Sequence, residues 1–588
     1  MQQANNLPQL ILGAAERHAH PDLLCYPHEH GWIRWSSVAM TQQIRALTMG
    51  LIARGVQRGD RVGIIAPPGP EWVMIDLAIQ SAGAVTVPIF KRISPESFTH
   101  EVKDSGMRIL FIGEPNEIPM ATEHGAGLTE LITFGCCTDN EAFEQLLAAG
   151  RELDQRDRST FDRSVASIEP DDLLTIIYTS GSTGLPKGVE LTQRNLLSQI
   201  TASAARFQLD PQRDLALSLL PLAHIFERMV VYFYLASGMR VYFADDPKKV
   251  AEYARDIRPT AMTVVPRLLE KVYAKMKDGA QEKTGPAGKL ARAAVGRAEL
   301  KPVNSHRGVR DLLFDRLVYK KFRAALGGRA HTLISGSAKL APEIAAFFIN
   351  VGINVYEGYG MTESSPVIAV NYRGHRKVGT VGPLLPQVEV TIAPDSEILA
   401  RGPNVMRGYH NLPDASSEAI DRDGWLHTGD LGSLDDDGYL TVTGRKKELF
   451  KKSTGEYVPP VPIEHAIAEH PLVDTAVIFA DNRVYVAALL FPDPVKLHAA
   501  RQNAGLSNMT DAEYLHSDAV RAQLREHIES VNRARHHCER VVQFTFAEDA
   551  ASIERGELTP TYKVRRANIE RLYQDKIEAM YANIGGTL

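Results

Sequence analysis

The stretch YTSGSTGLPKGVE, residues 178–190, decides how this chain is read. It follows an apolar run, 173–178, with the character of a buried strand. Three glycines and four hydroxyl residues fall within eleven positions, and Lys187 is among them. Such a loop can turn backbone N–H groups and hydroxyls toward phosphate oxygens: Thr179, Ser180, Gly181, Ser182, Thr183 and Gly184 form the cradle and Lys187 adds positive charge. A P-loop requires Gly-x4-Gly-Lys, and counting from Gly181 places Pro186 where the second glycine belongs, which disfavours Walker-type kinases and GTPases. In isolation the stretch could also be a plain flexible turn.

The surroundings of this loop read as βα layers. An amphipathic run at 38–53 precedes a turn at Gly59-Asp60 and an apolar strand at 61–66, and the alternation continues through 72–82 and 84–88. Further strands are expected at 240–243, 261–265, 332–334 and 354–356, most ending in Gly, Ser or Pro, and ligands in such folds sit at the carboxyl ends of parallel strands. Near residue 380 the pattern changes to short strands at 388–392, 397–400 and 439–442, the signature of small antiparallel structure. Beyond Gly444-Arg445 come mixed strands and a helix at 518–534 whose stripe Val520, Leu524, Ile528, Val531 has helical spacing. The expected fold class is α/β, with an N-terminal domain over 1–444, including a β-barrel-like subdomain at about 380–444, and a small α+β domain over 445–588.

With 588 residues the chain is long enough for roughly three to six packing units, which excludes a lone binding module. Its 44% hydrophobic and 23% charged residues exclude a disordered or fibrous chain. A formal net charge of -5 argues against wrapping nucleic acid. The four cysteines, Cys25, Cys136, Cys137 and Cys538, are too scattered for a disulfide framework, so a reducing, cytoplasmic setting is expected. His536, His537 and Cys538 lack a second cluster at finger-like spacing and read as surface residues at a helix end. The N-terminus has no signal-peptide pattern, and the longest apolar run, 229–239, falls short of the ~18 residues of a membrane span. Residues 267–329 carry 16 Lys and Arg against 6 Asp and Glu, either a solvated helical face or a surface that meets anionic membrane or an acidic ligand.

Four more motifs follow the loop in order: PLAHIFER (221–228), YEGYGMTE (356–363), WLHTGD (425–430) with Gly444-Arg445, and LTPTYKVRR (558–566). Together with STGEYVPP (453–460) they make the chain closely resemble the adenylate-forming enzymes, which include acyl-CoA synthetases, peptide-synthetase adenylation domains and luciferases, from about residue 32 to 566. The variants of these motifs are most similar to the long-chain fatty acid-CoA ligases. The motifs depart from the commonest pattern in Thr-Tyr-Lys before Val564, in Gly444-Arg445, and in Phe90-Lys91-Arg92, none of which removes a functional group.

The resemblance implies a Mg-ATP-dependent ligase that joins a medium or long fatty acid to AMP with release of pyrophosphate, then passes the acyl group to coenzyme A. Tyr359, with Glu357, Gly358 and Gly360, would pack on adenine, and Gly336 and Ser337 would border the nucleotide. Thr362 would touch the α-phosphate, and Glu363 with Thr183 would hold Mg2+, a hard cation that favours carboxylate and phosphate oxygens. The Gly358-x-Gly360 pair is no dinucleotide fingerprint, because Glu363 stands where the third glycine would be. Asp430 and Arg445 would hold the ribose. His224 is either a packed core residue or a neighbour of the incoming carboxylate that gates the acyl tunnel, while Glu227 and Arg228 read as a structural pair. Lys563 would neutralise charge as the carboxylate meets the α-phosphate. The C-terminal domain would then swing about Lys446 or Lys447, opening a path for the thiol past Lys452 and Gly455. The alternatives are an acyl-AMP ligase that loads a carrier-protein thiol, or a catalytically inactive nucleotide- or lipid-binding relative; peripheral membrane contact and a homodimer complete the expected associations.

Overall fold

A computed structural model describes residues 4–582 apart from 30, 138, 180–184, 304, 307, 447–448, 455, 507, 534 and 559–563. The chain divides into two compact units: one runs to Thr428 and includes Gly432–Val442, the other comprises Gly429–Leu431 and everything from Thr443 onward.

The first unit is built on two large sheets. The seven-stranded sheet is ordered Gly408–Tyr409, Lys187–Thr192, Leu173–Thr179, Val85–Pro88, Arg61–Ile65, Ile109–Ile112 and Glu130–Thr133. Its five central and far strands are parallel, and Lys187–Thr192 and Gly408–Tyr409 are added antiparallel at one edge. The eight-stranded sheet is ordered Val367–Val370, Val355–Gly360, Thr332–Ser335, Ala261–Val264, Leu215–Ser218, Arg240–Phe243, Leu24–His28 and Gly31–Trp35, parallel inside with an antiparallel hairpin at each edge. The inner strands are buried along their whole length, as strands covered by helices on both faces must be.

One apolar core joins the two sheets, and the helices Pro70–Ser81 and Ile225–Ala236 run through it. Every residue of Ile225–Ala236 is buried, which explains why its sequence is apolar all round instead of striped. A second core lies under the eight-stranded sheet, against Pro266–Gln281, Gly285–Leu300 and Pro342–Val351.

Several boundaries differ from the sequence expectation for local reasons. The helix expected at 72–82 is Pro70–Ser81, because Pro70, with no N–H to lose, starts the first turn. The strand expected at 354–356 extends over Val355–Gly360, held by its antiparallel partner Val367–Val370, so Gly358-Tyr359-Gly360 is a strand end. The stretch expected to be barrel-like gives a five-stranded sheet, ordered Gly382–Pro383, Tyr439–Arg445, Leu426–Leu434, Glu397–Arg401 and Glu389–Ile392, that is open among the described residues.

The second unit centres on three strands, with Val473–Phe479 antiparallel to Val486–Pro492, which is parallel to Val541–Phe546. Pro460–Ala468 and Asp518–Arg533 share a core on one face, where the stripe Val520, Leu524, Ile528, Val531 is buried, and Arg566–Leu572 and Gln574–Ala582 contribute to a second core. Cys538, expected at the surface, is buried in a short turn of 3-10 helix, and its sulfur lies 3.1 Å from the His536 Nδ1. No helix among the described residues is long and apolar enough to cross a membrane.

Candidate nucleotide and acyl site

The phosphate loop joins the two strands of a hairpin. Thr179 lies opposite Lys187 and Tyr178 opposite Gly188, while 180–184 lie outside the described residues. The described residues that follow the loop begin a strand, Lys187–Thr192, and not a helix. Its base is fastened on both sides. The Tyr178 hydroxyl donates to Asp104 Oδ2 at 2.7 Å, and the His100 Nε2 lies 2.9 Å from the Pro186 carbonyl. Gly188 is dictated by packing, since a Cβ there would come within 2.8 Å of Ile176 Cγ2.

Lys187 and Glu363 are linked through one aromatic ring. The Lys187 ammonium sits 4.9 Å over the ring of Tyr409, whose hydroxyl donates to Glu363 Oε1 at 2.9 Å. Burial and the neighbouring carboxylate hold the phenol well above its ordinary pKa, so it stays protonated and keeps donating. Glu363 is buried in the single turn Thr362–Ser364, and its carbonyl accepts from the Met406 N–H at 2.8 Å. The turn follows directly from Tyr359 and Gly360, both at the carboxyl end of their strand. Any Cβ on Gly360 would lie 1.7 Å from the Pro366 carbonyl oxygen, so this approach admits only glycine. Among the described residues no group of three or more His, Cys, Asp or Glu side chains is placed to hold a metal. One buried carboxylate, completed by substrate phosphates and water, is a donor set that fits Mg2+.

His224 is the N-cap of Ile225–Ala236, and its Nδ1 accepts from the Phe226 N–H at 3.2 Å. An accepting Nδ1 places the ring proton of neutral His224 on Nε2, which can then donate. Phe226 turns the other way and abuts Gly336, whose Cβ would come within 2.8 Å of the ring. The next residue, Ser337, has a left-handed backbone (φ +72°). Phe226 also lines an apolar cavity with Phe207, Met229, Phe233, Ile334 and Val367, bounded by two helices and two strand ends. Glu357, on the same strand as Tyr359, is pushed up to about 7 by burial.

Glu227 and Arg228 do not pair with each other, contrary to the sequence reading, because consecutive helical residues point about 100° apart. Arg228 binds Asp76 and Thr175, while Glu227 Oε1 accepts from Ser218.

In the second unit Arg445 Nε lies 3.0 Å from Asp430 Oδ1, and Asp430 is buried. Lys452 is buried too, and its ammonium is 3.1 Å from Glu456 Oε2, which also accepts from Thr454. Lys447, Gly455 and Lys563 lie outside the described residues. Of the residues flanking 559–563, Leu558 pairs with Val564 across a β-bridge, and Arg566 makes a bidentate pair with Glu464 at 2.6 and 3.0 Å.

The structure thus brings Lys187 and Glu363 together through Tyr409, with Thr362 beside Glu363 in its turn, sets both His224 and Gly336 against Phe226, and brings Asp430 to Arg445. Sequence reasoning missed Tyr409. It lies in a two-residue strand, too short for any periodicity to mark it.

Parallel α/β layers that carry a glycine- and hydroxyl-rich hairpin beside a buried carboxylate define an enzyme that activates its substrate with a nucleotide. The chain belongs to the AMP-binding enzyme family, whose pattern matches residues 14–410, and residues 448–585 match the AMP-binding enzyme C-terminal domain. It is 35% identical over 581 residues to the long-chain-fatty-acid–CoA ligase FadD15 of Mycobacterium bovis, covering 95% of each chain. It is 30% identical to the peroxisomal long chain acyl-CoA synthetase 6 of Arabidopsis thaliana, covering 95% of this chain and 83% of that one. Among solved structures, the adenylation domain of a carboxylate reductase from Mycobacterium chelonae shares the fold with a TM-score of 0.77 at 20% identity, covering 99% of this chain and 92% of that one.

Proposed function

We propose that this protein is a long-chain fatty acid-CoA ligase that couples ATP cleavage to acyl-AMP formation and then to thioester formation with coenzyme A. The observation that carries this reading is the link from Lys187 through Tyr409 to Glu363, which holds a phosphate-binding cation and a Mg2+-binding carboxylate a ring's breadth apart. When bound, Mg2+ would neutralise phosphate charge, held by Glu363 and Thr183. Lys187 and the loop hydroxyls bind the polyphosphate, Thr362 contacts the α-phosphate, and Tyr359 packs on the adenine. Asp430 accepts from the ribose hydroxyls, with Arg445 as donor. The apolar cavity beside Phe226 takes the acyl chain, and the His224 Nε2–H donates to its carboxylate.

Carboxylate attack on the α-phosphate sets two anions against each other, so Lys563 must come alongside. The 445–588 domain then rotates about Lys446 or Lys447 so that the thiol can enter past Gly455 and Lys452. The test is ATP–pyrophosphate exchange over a series of carboxylic acids, followed by thioester detection with coenzyme A. Lys563→Ala should lower exchange by roughly two to three orders of magnitude, the cost of removing a transition-state charge contact. Full exchange in that variant would overturn the assignment. Thioester on a carrier protein but never on free coenzyme A would make the protein an acyl-AMP ligase.

A further inference from the structure

The helical segment from Val309 to Ala324 has two apolar faces, and only one of them is used by the fold. Phe314, Val318 and Tyr319 point inward and join the core under the eight-stranded sheet, where the Tyr319 hydroxyl donates to the Ala294 carbonyl at 2.8 Å. On the opposite side Val309 (85% exposed), Leu312 (59%), Leu313 (49%) and Leu317 (42%) face solvent at the i, i+3, i+4, i+8 spacing of a helical stripe. Leu300, also 85% exposed, ends the preceding helix, and the next residue, Lys301, reaches Asp311 at 2.9 Å. Exposed single leucines are commonplace; four large aliphatic side chains on one face of one short segment are not.

The charges beside these side chains are of one sign. Arg310, Arg316, Lys320 and Lys321 are all exposed on the same segment. Its two acids are already taken, Asp311 by Arg297 and Lys301, and Asp315 by Arg323 at 2.7 Å. In a chain of net charge -5 this is a local basic and apolar surface.

We infer that this face, the outer side of 309–321, lies on the surface of an anionic lipid bilayer, its aliphatic side chains in the headgroup boundary and its cations against lipid phosphates. A second copy of the chain fits poorly, since a two-fold contact would set these four cations against their own equivalents. The inference does not depend on the proposed activity, although a ligase for long acids would meet its substrate there.

Flotation of the whole protein with phosphatidylcholine vesicles, with and without phosphatidylglycerol, tests it. The wild type should float with the anionic vesicles and be released by salt. K320E/K321E should bind them more weakly, by roughly fivefold for each cation removed. L312S/L313S should bind at least roughly tenfold more weakly. Both variants change only exposed side chains, so they should melt with the wild type and retain pyrophosphate exchange with a short, water-soluble acid. Three results would overturn the inference: no flotation of the wild type, equal flotation of wild type and both variants, or a dimer that L312S/L313S disperses with no lipid binding in either protein.

Discussion

Arg228 and Asp76 form a bidentate ion pair, at 2.8 and 2.6 Å, in which neither side chain is exposed at all. Tyr232, Gln80 and Thr86 also donate to the Asp76 carboxylate, and Arg228 donates to Thr175 Oγ1 at 2.9 Å. Thr175 lies on the strand that runs into the phosphate loop, and Arg228 is one turn into the helix capped by His224. The pair therefore fixes the helix Ile225–Ala236 against the strand Leu173–Thr179. Removing one member leaves an uncompensated charge in the core, a loss of about 3–5 kcal/mol. Arg228→Met should accordingly lower the melting temperature sharply, while Arg228→Met with Asp76→Asn should recover part of it, because the neutral amide removes the unpaired charge and its oxygen still accepts from Gln80 and Thr86. A single variant that melts with the wild type would show that the charges are not held as described.

Tyr409 makes a narrower prediction. Tyr409→Phe keeps the ring under Lys187 but removes the donor to Glu363, a bond to a charged acceptor worth about 1.5–3 kcal/mol. Pyrophosphate exchange should fall roughly tenfold and need more Mg2+ to saturate, with the melting temperature little changed. An unaltered Mg2+ titration would count against the proposal that the carboxylate Tyr409 holds, Glu363, binds the metal.

What the sequence disclosed and what it hid follow from the range of each interaction. The strand Leu173–Thr179 is legible because a covered parallel strand is a continuous apolar run, and Val520 to Val531 is legible because one helix face repeats locally. The hairpin at the phosphate loop is harder to see, since Lys187–Thr192 mixes charged and apolar residues on an edge that Gly408–Tyr409 then covers. Glu363 and Lys187 could be nominated from their motifs, but their link through Tyr409 is a contact between separate segments. The Asp76–Arg228 pair joins residues 152 positions apart, and no local pattern announces such a partner.

Glu227 gives a pH signature. It is wholly buried on the helix of His224, with one carboxyl oxygen accepting from Ser218, and burial pushes it up to about 7 from an ordinary 4.5. The folded protein then holds a proton that the unfolded chain gives up at lower pH. Its contribution to stability is therefore retained below about pH 4.5, declines as pH rises toward 7, and levels off above that, for a loss of about 3 kcal/mol. Glu227→Gln, which copies the neutral form, should abolish this part of the decline and melt higher than the wild type at pH 8. Parallel stability curves from pH 5 to 8 would contradict the assignment.

Gly336 borders Phe226, which lines the apolar cavity that we propose takes the acyl chain. A Cβ at this position would lie 2.8 and 2.9 Å from two ring carbons of Phe226, a side chain that itself lines the apolar cavity. The ring is the movable party, and turning it away from the strand drives it into the cavity. Gly336→Ala should thus shorten the tunnel without touching the phosphate loop. Each methylene excluded from the cavity forfeits about 0.8 kcal/mol, so the KM for long acids should rise roughly fourfold per lost methylene, while short acids keep their exchange rates. Phe226→Leu in the same background should restore the longer substrates, because the smaller side chain returns the displaced volume. If Gly336→Ala weakened short and long acids equally, the cavity beside Phe226 would not be where the chain resides.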